Sequence, residues 1–393
     1  MKRRDGELVV FLGPSLPAAE ARRLAPGCTV LPPARQGDVW RAMSLRPRVI
    51  ALIDGVFESQ PSVWHHELLA AMEEGVAVFG ASSMGALRAA ELAPHGMVGV
   101  GQVFAWYRDG DVVDDAEVAL LHADAEHDWR PLTLPLVNVR HAAACARKAR
   151  ALGPAAARAL VEAAGGLFYQ DRTWPRVMEA VRPAWSAASR RAWEAWFARG
   201  VEDLKRRDAI ACLQAAREFA ASAPAPTPGT RRNPSSLVRR RRLLEDVTRV
   251  GGRAVESARV LDLLRRAPDA SAWAEAGLRR ALLTAWARTL GLSATDEELA
   301  AEEAAWWRER GVRPARRAAF LAASGLDGAG VRRLCEELAL ERLALAHASR
   351  LLPDGPSWDE ALATETRLRG HWEKAARALA EADAQTPDSA DVD

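Results

Sequence analysis

The sharpest chemical motif of the chain is a serine-rich turn, in which residues 81–85 read A-S-S-M-G between a predicted strand and a predicted helix. The spacing is that of a nucleophile elbow, G-x-S-x-G, with Ala81 in place of the first glycine. In that geometry the Ser83 hydroxyl projects from the turn, and backbone N–H groups at the start of the next helix stabilise an oxyanion. Gly80 and Gly85 would permit the tight turn. The motif predicts acyl-transfer chemistry at Ser83.

A nucleophilic serine needs a base and an orienting acid, and the residues before the turn offer candidates for both. His65 and His66 open the preceding predicted helix, Glu67 follows them, and Asp54 ends the neighbouring predicted strand. The predicted catalytic set is Ser83, one of the two histidines, and Asp54 or Glu67. The alternative for the histidines is a solvated first helical turn. A metal site is not expected, because no histidine follows either of them at i+4.

Polar and small residues around the same turn are the candidates for substrate binding. Arg88 could face an anionic substrate, and Tyr107 precedes an acidic segment that could close over the strand ends as a lid. Each has an alternative. Arg88 and Glu91 lie one helical turn apart and could pair with each other, and the acidic segment could be a helix with an acidic N-terminus. The serine-rich turn could be a helix cap or an anion site. The predicted substrate-binding residues are Ser15, Gly80, Ser82, Gly85, Arg88, Glu91 and Tyr107.

The elements that position these residues read as an α/β layer. Short apolar runs at 8–12, 29–31, 49–53 and 76–79 predict strands, and the run at 49–53 suits a strand buried on both faces. Helices are predicted over 17–25, 36–45 and 63–74, the last with Ser62 as its N-cap, and from the serine-rich turn to about residue 92. The glycine-rich stretch 96–101 is predicted as a loop and 114–122 as a helix. The fold class expected is α/β, with a Rossmann-like, mostly parallel sheet.

The chain is long enough for two domains, since it has 393 residues. We expect an α/β core domain with a helical extension over 1–222, a proline-rich linker over 223–236, an all-helical domain over 237–382 and a disordered acidic tail over 383–393. The helical domain contains the adjacent pair Trp306 and Trp307. Adjacent helical positions point in different directions, so the two indoles are not expected to share one core.

Composition excludes several function classes. The net charge of +2 gives no basic excess for nucleic-acid binding. The four cysteines are widely spaced, which indicates neither a disulfide framework nor a zinc site. No apolar run is long enough to span a membrane and the N-terminus does not read as a signal peptide, so a cytoplasmic location is expected. A nucleotide-binding regulatory domain is disfavoured because no phosphate-loop sequence occurs. No metal and no cofactor are expected.

Six motifs in one order resemble the core domain of TfuA-like proteins, over roughly residues 8–140. The motifs read FLGPSL at 11–16, IDGVFE at 53–58, PSVWHHE at 61–67, FGASSMGALRAAEL at 79–92, GMVGVG at 96–101 and DDAEVA at 114–119. The resemblance implies a role beside a YcaO enzyme, which uses ATP to replace a peptide amide oxygen by sulfur. Such thioamidation occurs in ribosomally made peptide natural products. The TfuA-like protein would supply sulfide by hydrolysing the C-terminal thiocarboxylate of a ThiS-like sulfur carrier.

The resemblance and the serine-rich turn thus point to the same reaction class, acyl transfer from a thioacid to water. The expected partners are a YcaO enzyme, a ThiS-like sulfur carrier and a precursor peptide. The alternative is a non-catalytic adaptor, which would bind YcaO and the carrier or precursor peptide and stimulate thioamide formation by positioning them.

Overall fold

A computed structural model describes residues 7–57, 60–222, 235–250, 253–324, 326, 328–348, 355 and 357–385. They form two compact units. The first comprises Met1–Thr248 with Ala254–Arg259, and the second comprises Arg249–Arg253 with Val260–Asp393.

The first unit is built on a five-stranded parallel sheet. Its strands are β1 (Leu8–Phe11), β2 (Thr29–Leu31), β3 (Val49–Leu52), β4 (Ala77–Ala81) and β5 (Val98–Val100), in the spatial order β2-β1-β3-β4-β5. Every residue of β1, β3 and β4 is buried, as expected for strands with helices on both faces. The expectation of an α/β fold with a parallel sheet is confirmed.

Helices cover both faces of this sheet. The helices of this unit are α1 Ala18–Leu24, α2 Asp38–Met43, α3 His65–Glu73, α4 Met84–Leu92, α5 Gly101–Asp109, α6 Leu136–Lys148, α7 Pro154–Gly165, α8 Trp174–Val181, α9 Ala187–Phe197, α10 Leu204–Ser222 and α11 Ser236–Glu245. Alternate strand residues divide the core: Val9, Ile50 and Val78 pack with α2, α3 and α4, while Val10, Ala51 and Phe79 pack with α1 and α10. Helices α6 to α9 have an apolar core of their own, which includes Trp185 and Trp193.

Three local predictions for this unit are wrong. The glycine-rich stretch 96–101 contains strand β5, in which Gly99 leaves room for the Phe104 ring. The helix over 114–122 is only a 3-10 turn at Asp115–Glu117, because Asp114 caps it locally through Ala116 N. Helix α3 begins two residues later than predicted, with Trp64 as its N-cap, since the Trp64 backbone is extended and Val63 is buried before the helix.

The first unit extends beyond the predicted boundary at residue 222. The predicted linker lies mostly outside the described residues, at 223–234. Helix α11, which the sequence placed in the second domain, packs on α2 in the first unit, with ion pairs of Glu245 with Arg41 and of Arg242 with Glu74. Two short strands follow, β6 (Val247–Val250) and β7 (Arg253–Glu256), and form a two-stranded sheet where only helices were expected.

The rest of the described chain is helical. The helices are α12 Ser257–Leu264, α13 Ala270–Thr289, α14 Asp296–Glu309, α15 Arg317–Ser324, α16 Gly328–Ala346, α17 Trp358–Leu368 and α18 His371–Gln385. Contrary to expectation, Trp306 and Trp307 are buried in one cluster, where the Phe320 ring meets both indoles edge to face. The last helix continues three residues into the predicted tail, and 386–393 lie outside the described residues. None of the helices among the described residues is long and apolar enough to cross a membrane.

Candidate active site

The candidate site lies where the carboxyl ends of β1, β3 and β4 meet. In an open parallel sheet, ligands bind at the point where the strand order reverses, and here the reversal falls between β1 and β3. Asp54 follows β3, Ser15 lies after β1, and Ser82 and Ser83 follow β4. The structure brings the side chains at these strand ends together.

Asp54 organises the loop after β1. Its Oδ2 accepts hydrogen bonds from Gly13 N at 2.9 Å and Ser15 N at 3.0 Å, and its Oδ1 accepts one from Ser15 Oγ at 2.6 Å. Ser82 Oγ donates to Ser15 Oγ at 2.8 Å. All three side chains are buried, so the carboxylate has exchanged water for these donors. Asp54, Ser15 and Ser82 therefore form one continuous hydrogen-bonded row across three strand ends.

The turn after β4 has a strained backbone. Ser82 has a φ of +67°, and Ser83 N donates to Ala81 O at 2.7 Å, which closes a three-residue γ-turn around Ser82. The two glycines act differently from the prediction, because the left-handed residue is Ser82. A Cβ on Gly85 would lie 1.8 Å from Leu52 O, so Gly85 allows α4 to approach β3 closely. A Cβ on Gly80 would likewise lie 2.2 Å from the Gly85 carbonyl oxygen.

Ser83 occupies the N-cap position of α4, yet its side chain makes no capping hydrogen bond. Its Oγ instead accepts a hydrogen bond of 2.9 Å from Lys205 Nζ. The first-turn amide of Met84, the next residue, has no hydrogen-bond partner among the described residues. In nucleophile elbows, the amide after the nucleophile is an oxyanion donor. The site thus brings together the Ser83 hydroxyl and the Met84 amide of the turn with the amine of Lys205.

Lys205 reaches the site from the first turn of α10. Its Nζ also donates to Val118 O at 3.0 Å, and the side chain is fully buried. Burial lowers the pKa of Lys205, while the negative charges of Asp54 and Asp203 act in the opposite direction. The net lowering favours a neutral amine, the form that can accept a proton from Ser83.

The start of α10 is held in place by two polar side chains. Asp203 accepts hydrogen bonds from Arg206 N at 3.0 Å and from Asn138 Nδ2 at 3.0 Å. Asn138 Oδ1 in turn accepts from Lys205 N at 3.2 Å. Capping by Asp203 satisfies a first-turn amide of the helix, and Asn138 links α10 to α6. These contacts position the lysine backbone opposite Ser83.

The predicted histidine bases lie elsewhere. His65 Nε2 contacts Glu91 Oε2 at 2.8 Å, and the same carboxylate oxygen accepts from Arg88 Nη1 at 2.7 Å. His66 is exposed and packs against the Trp64 ring. Among the described residues, the side-chain partner of Ser83 is Lys205 and neither histidine. The structure thus places His65, Arg88 and Glu91 in one partly exposed cluster, as the pairing alternative for Arg88 and Glu91 anticipated.

Glu67 and Tyr107 are engaged in contacts that hold the fold. Glu67 accepts from Gly37 N, Val39 N and Trp64 N at 2.8, 3.2 and 3.1 Å, so it joins the N-termini of α2 and α3. Burial raises the pKa of Glu67 to about 7, against the effect of these three donors. Tyr107 Oη donates to Asp114 O at 2.9 Å, and burial together with nearby carboxylates raises the pKa of its phenol.

Lys205 is the site residue that sequence reasoning missed. It lies 122 positions from Ser83, in a segment that the sequence presented only as alanine- and arginine-rich. One signal was available: lysine is rare in this chain, and Lys205 lies two positions after Asp203, a residue type that commonly caps helices. No group of three or more metal-ligating side chains occurs in the described parts of the chain.

The fold and the site define a parallel α/β protein with a buried serine–lysine pair at the reversal of strand order. Residues 54–173 match the family model described as TfuA-like protein. This part of the chain is similar to TfuA-like proteins, as its motifs predicted. No curated protein shows significant similarity to the chain. Asp54, Ser82 and Ser83 lie inside the matched segment, whereas Ser15 and Lys205 lie outside it.

Proposed function

We propose that the chain hydrolyses the C-terminal thiocarboxylate of a ThiS-like sulfur carrier and supplies the released sulfide to a YcaO enzyme for peptide thioamidation. The observation that carries the proposal is the 2.9 Å contact between Lys205 Nζ and Ser83 Oγ inside the buried site. The TfuA-like match supports the accessory role. The proposal gives Ser83 the role of nucleophile and Lys205 that of general base, in place of the predicted histidines.

Serine–lysine pairs act as nucleophile and base in several unrelated hydrolases. A serine hydroxyl is a weak nucleophile until a neighbouring base removes its proton. Lys205 is suited to this task because burial lowers its pKa and so favours the uncharged form that accepts a proton. Asp54 remains as the nearby negative charge that limits this effect and would stabilise the lysine once it has accepted the proton.

In the first step, Ser83 Oγ attacks the carbonyl carbon of the thiocarboxylate while its proton moves to Lys205 Nζ. The Met84 amide and the N-terminal end of α4 stabilise the tetrahedral oxyanion. The carbon–sulfur bond then breaks, and sulfide leaves with the proton held by Lys205. A serine ester of the carrier's C-terminus remains on the protein.

In the second step, Lys205 takes a proton from a water molecule, whose oxygen attacks the ester carbonyl. The bond to Ser83 Oγ breaks, and the proton returns to that oxygen. The sum of both steps is thiocarboxylic acid and water giving carboxylic acid and hydrogen sulfide. No oxidant or reductant is needed, and atoms and electrons balance.

The test uses the purified full chain and a carrier protein that bears a C-terminal thiocarboxylate. Intact-mass spectrometry follows the conversion of thiocarboxylate to carboxylate, and a colorimetric assay follows free sulfide. The proposal expects release above the rate of the carrier alone, without YcaO. Release that remains at the carrier-only rate, while the chain still stimulates thioamidation by YcaO, would exclude the hydrolase and identify the adaptor.

A further inference from the structure

The serine–lysine site is closed in this structure. The exposed fractions are 3% for Ser83, 2% for Lys205 and 1% for Asp54. A reacting chain terminus therefore cannot reach Ser83 unless part of the protein moves. One segment that closes on the site contains Val118, whose carbonyl oxygen accepts a hydrogen bond of 3.0 Å from Lys205 Nζ.

Val118 belongs to residues 110–135, which connect α5 to α6 with only two short 3-10 turns, Asp115–Glu117 and Ala125–His127. Long connections without regular structure inside a compact domain are commonly lids or binding loops. Residues 117–119 form the buried inner edge of this segment, whereas 124–128 are exposed. The segment thus has one edge on the site and its tip in solvent.

Three side chains of the surrounding helices hold the inner part of this segment. Lys205 donates to Val118 O, Tyr107 donates to Asp114 O, and Arg140 makes a two-point ion pair with Glu117, with Nε–Oε2 and Nη2–Oε1 distances of 2.9 and 2.5 Å. The Arg140 pair is the strongest of these contacts, since bidentate guanidinium–carboxylate pairs combine charge with fixed geometry.

The first end of the segment has a residue suited to a hinge. Gly110 has a φ of +80°, and a Cβ at this position would meet open space. A glycine in open space can change its backbone angles without displacing neighbours. At the other end, Leu134 N donates to Arg172 O at 2.7 Å, which anchors the segment just before α6.

We infer that residues 110–135 form a lid over Ser83 and Lys205, latched by the Glu117–Arg140 ion pair, which must open before the site can receive its substrate. The inference rests on the proposed function only for the identity of that substrate. Closure excludes water from the amine, and this burial is what lowers the pKa of Lys205. Opening admits the substrate terminus and removes Val118 O from Lys205 Nζ.

The test measures access to position 83 without requiring catalysis. In Ser83→Cys, the adjacent Lys205 favours the reactive thiolate, so a slow reaction with iodoacetamide would report closure. Peptide mapping compares alkylation of this thiol with that of Cys28, a partly exposed internal reference. Arg140→Gln removes the latch and leaves Glu117 buried without its partner. Arg176→Gln breaks an exposed ion pair with Asp171 and is the matched control.

If residues 110–135 form a lid, the thiol at position 83 should be alkylated more slowly than Cys28. Its alkylation rate should increase about tenfold when Arg140→Gln is added. The same rate should not change when Arg176→Gln is added. Equal alkylation of the two thiols in the parent background, or no increase with Arg140→Gln, would overturn it. If Arg140→Gln does not fold, Tyr107→Phe removes another of the three contacts and is read in the same way. If Ser83→Cys shows this alkylation pattern while the parent chain releases no sulfide, the lid is retained and the proposed function is rejected.

Discussion

Lys205 Nζ and Ser83 Oγ lie 2.9 Å apart in the folded protein although 122 residues separate them in the chain. Ser83 is set by the turn between β4 and α4, and Lys205 by the first turn of α10, which packs across β1, β3, β4 and β5. The chain between them includes α6 to α9, which build a separate apolar cluster. The pair therefore forms only when α10 returns to cover the sheet.

The pH dependence of sulfide release should follow the deprotonation of Lys205. Burial holds the pKa of this lysine below its ordinary value of 10.5. Because only the neutral amine can accept the Ser83 proton, kcat/KM should rise with pH and level off below pH 10.5. The measurement is kcat/KM for sulfide release from about pH 6 to about pH 10, corrected for the carrier alone. A rate that falls as the pH rises would contradict the role of Lys205 as base.

Asp54→Asn should shift this pH profile toward lower pH. The charge of Asp54 raises the pKa of Lys205, so its removal should leave the amine neutral at a lower pH. The substitution also replaces one carboxylate oxygen with an amide NH₂ group. Because the Asp54 oxygens accept hydrogen bonds from Gly13 N, Ser15 N and Ser15 Oγ, some loss of thermal stability is expected.

The control for this experiment is Asp171→Asn, which neutralises an exposed carboxylate in an ion pair with Arg176. It should leave the pH profile unchanged. A profile that moves toward higher pH in Asp54→Asn would show that Asp54 does not act on Lys205 as a charge.

Gly85→Ala should destabilise the α/β unit, because the added Cβ would lie 1.8 Å from the Leu52 carbonyl oxygen. Neither the Cβ at position 85 nor the Leu52 carbonyl oxygen is the end of a flexible side chain, so α4 or β3 must shift. The expected loss is about 1–3 kcal/mol in the free energy of unfolding, measured by urea denaturation. Gly277→Ala is the matched control, since a Cβ there meets open space within α13. It should gain about 0.5–1 kcal/mol, and an equal response of the two variants would contradict this packing argument.

Much of the sheet could be predicted because its strands are continuous apolar runs that end at glycine, proline or serine. The same pattern placed Ser15, Asp54 and Ser82 at strand ends, and parallel strands bring their carboxyl ends to one edge. This geometry explains why their grouping could be predicted before any contact was known. Strand β5 was not predicted because three glycines, Gly96, Gly99 and Gly101, lie in and beside it, although Gly99 is required there by the Phe104 ring.

The base of the site could not be predicted from local sequence. His65 and His66 are close to Ser83 in the chain, yet α3 directs His65 toward Glu91. Lys205 contacts Ser83 through tertiary packing alone, which leaves no fixed spacing to detect. The acidic segment after Gly110 resembled a helix start, but Asp114 satisfies Ala116 N within a short turn, and residues 117–119 pack toward the site instead.

In the proposed reaction, the Ser83–Lys205 pair carries the hydrolysis. The most direct test of this role is the rate of sulfide release from a carrier thiocarboxylate by Ser83→Ala and Lys205→Met, beside the exposed controls Ser271→Ala and Lys148→Met. Circular dichroism confirms that each variant is folded. We predict that both site variants lose at least about a thousandfold in kcat/KM, while both controls keep the parent rate. Folded Ser83→Ala or Lys205→Met that releases sulfide at the parent rate would contradict the claim.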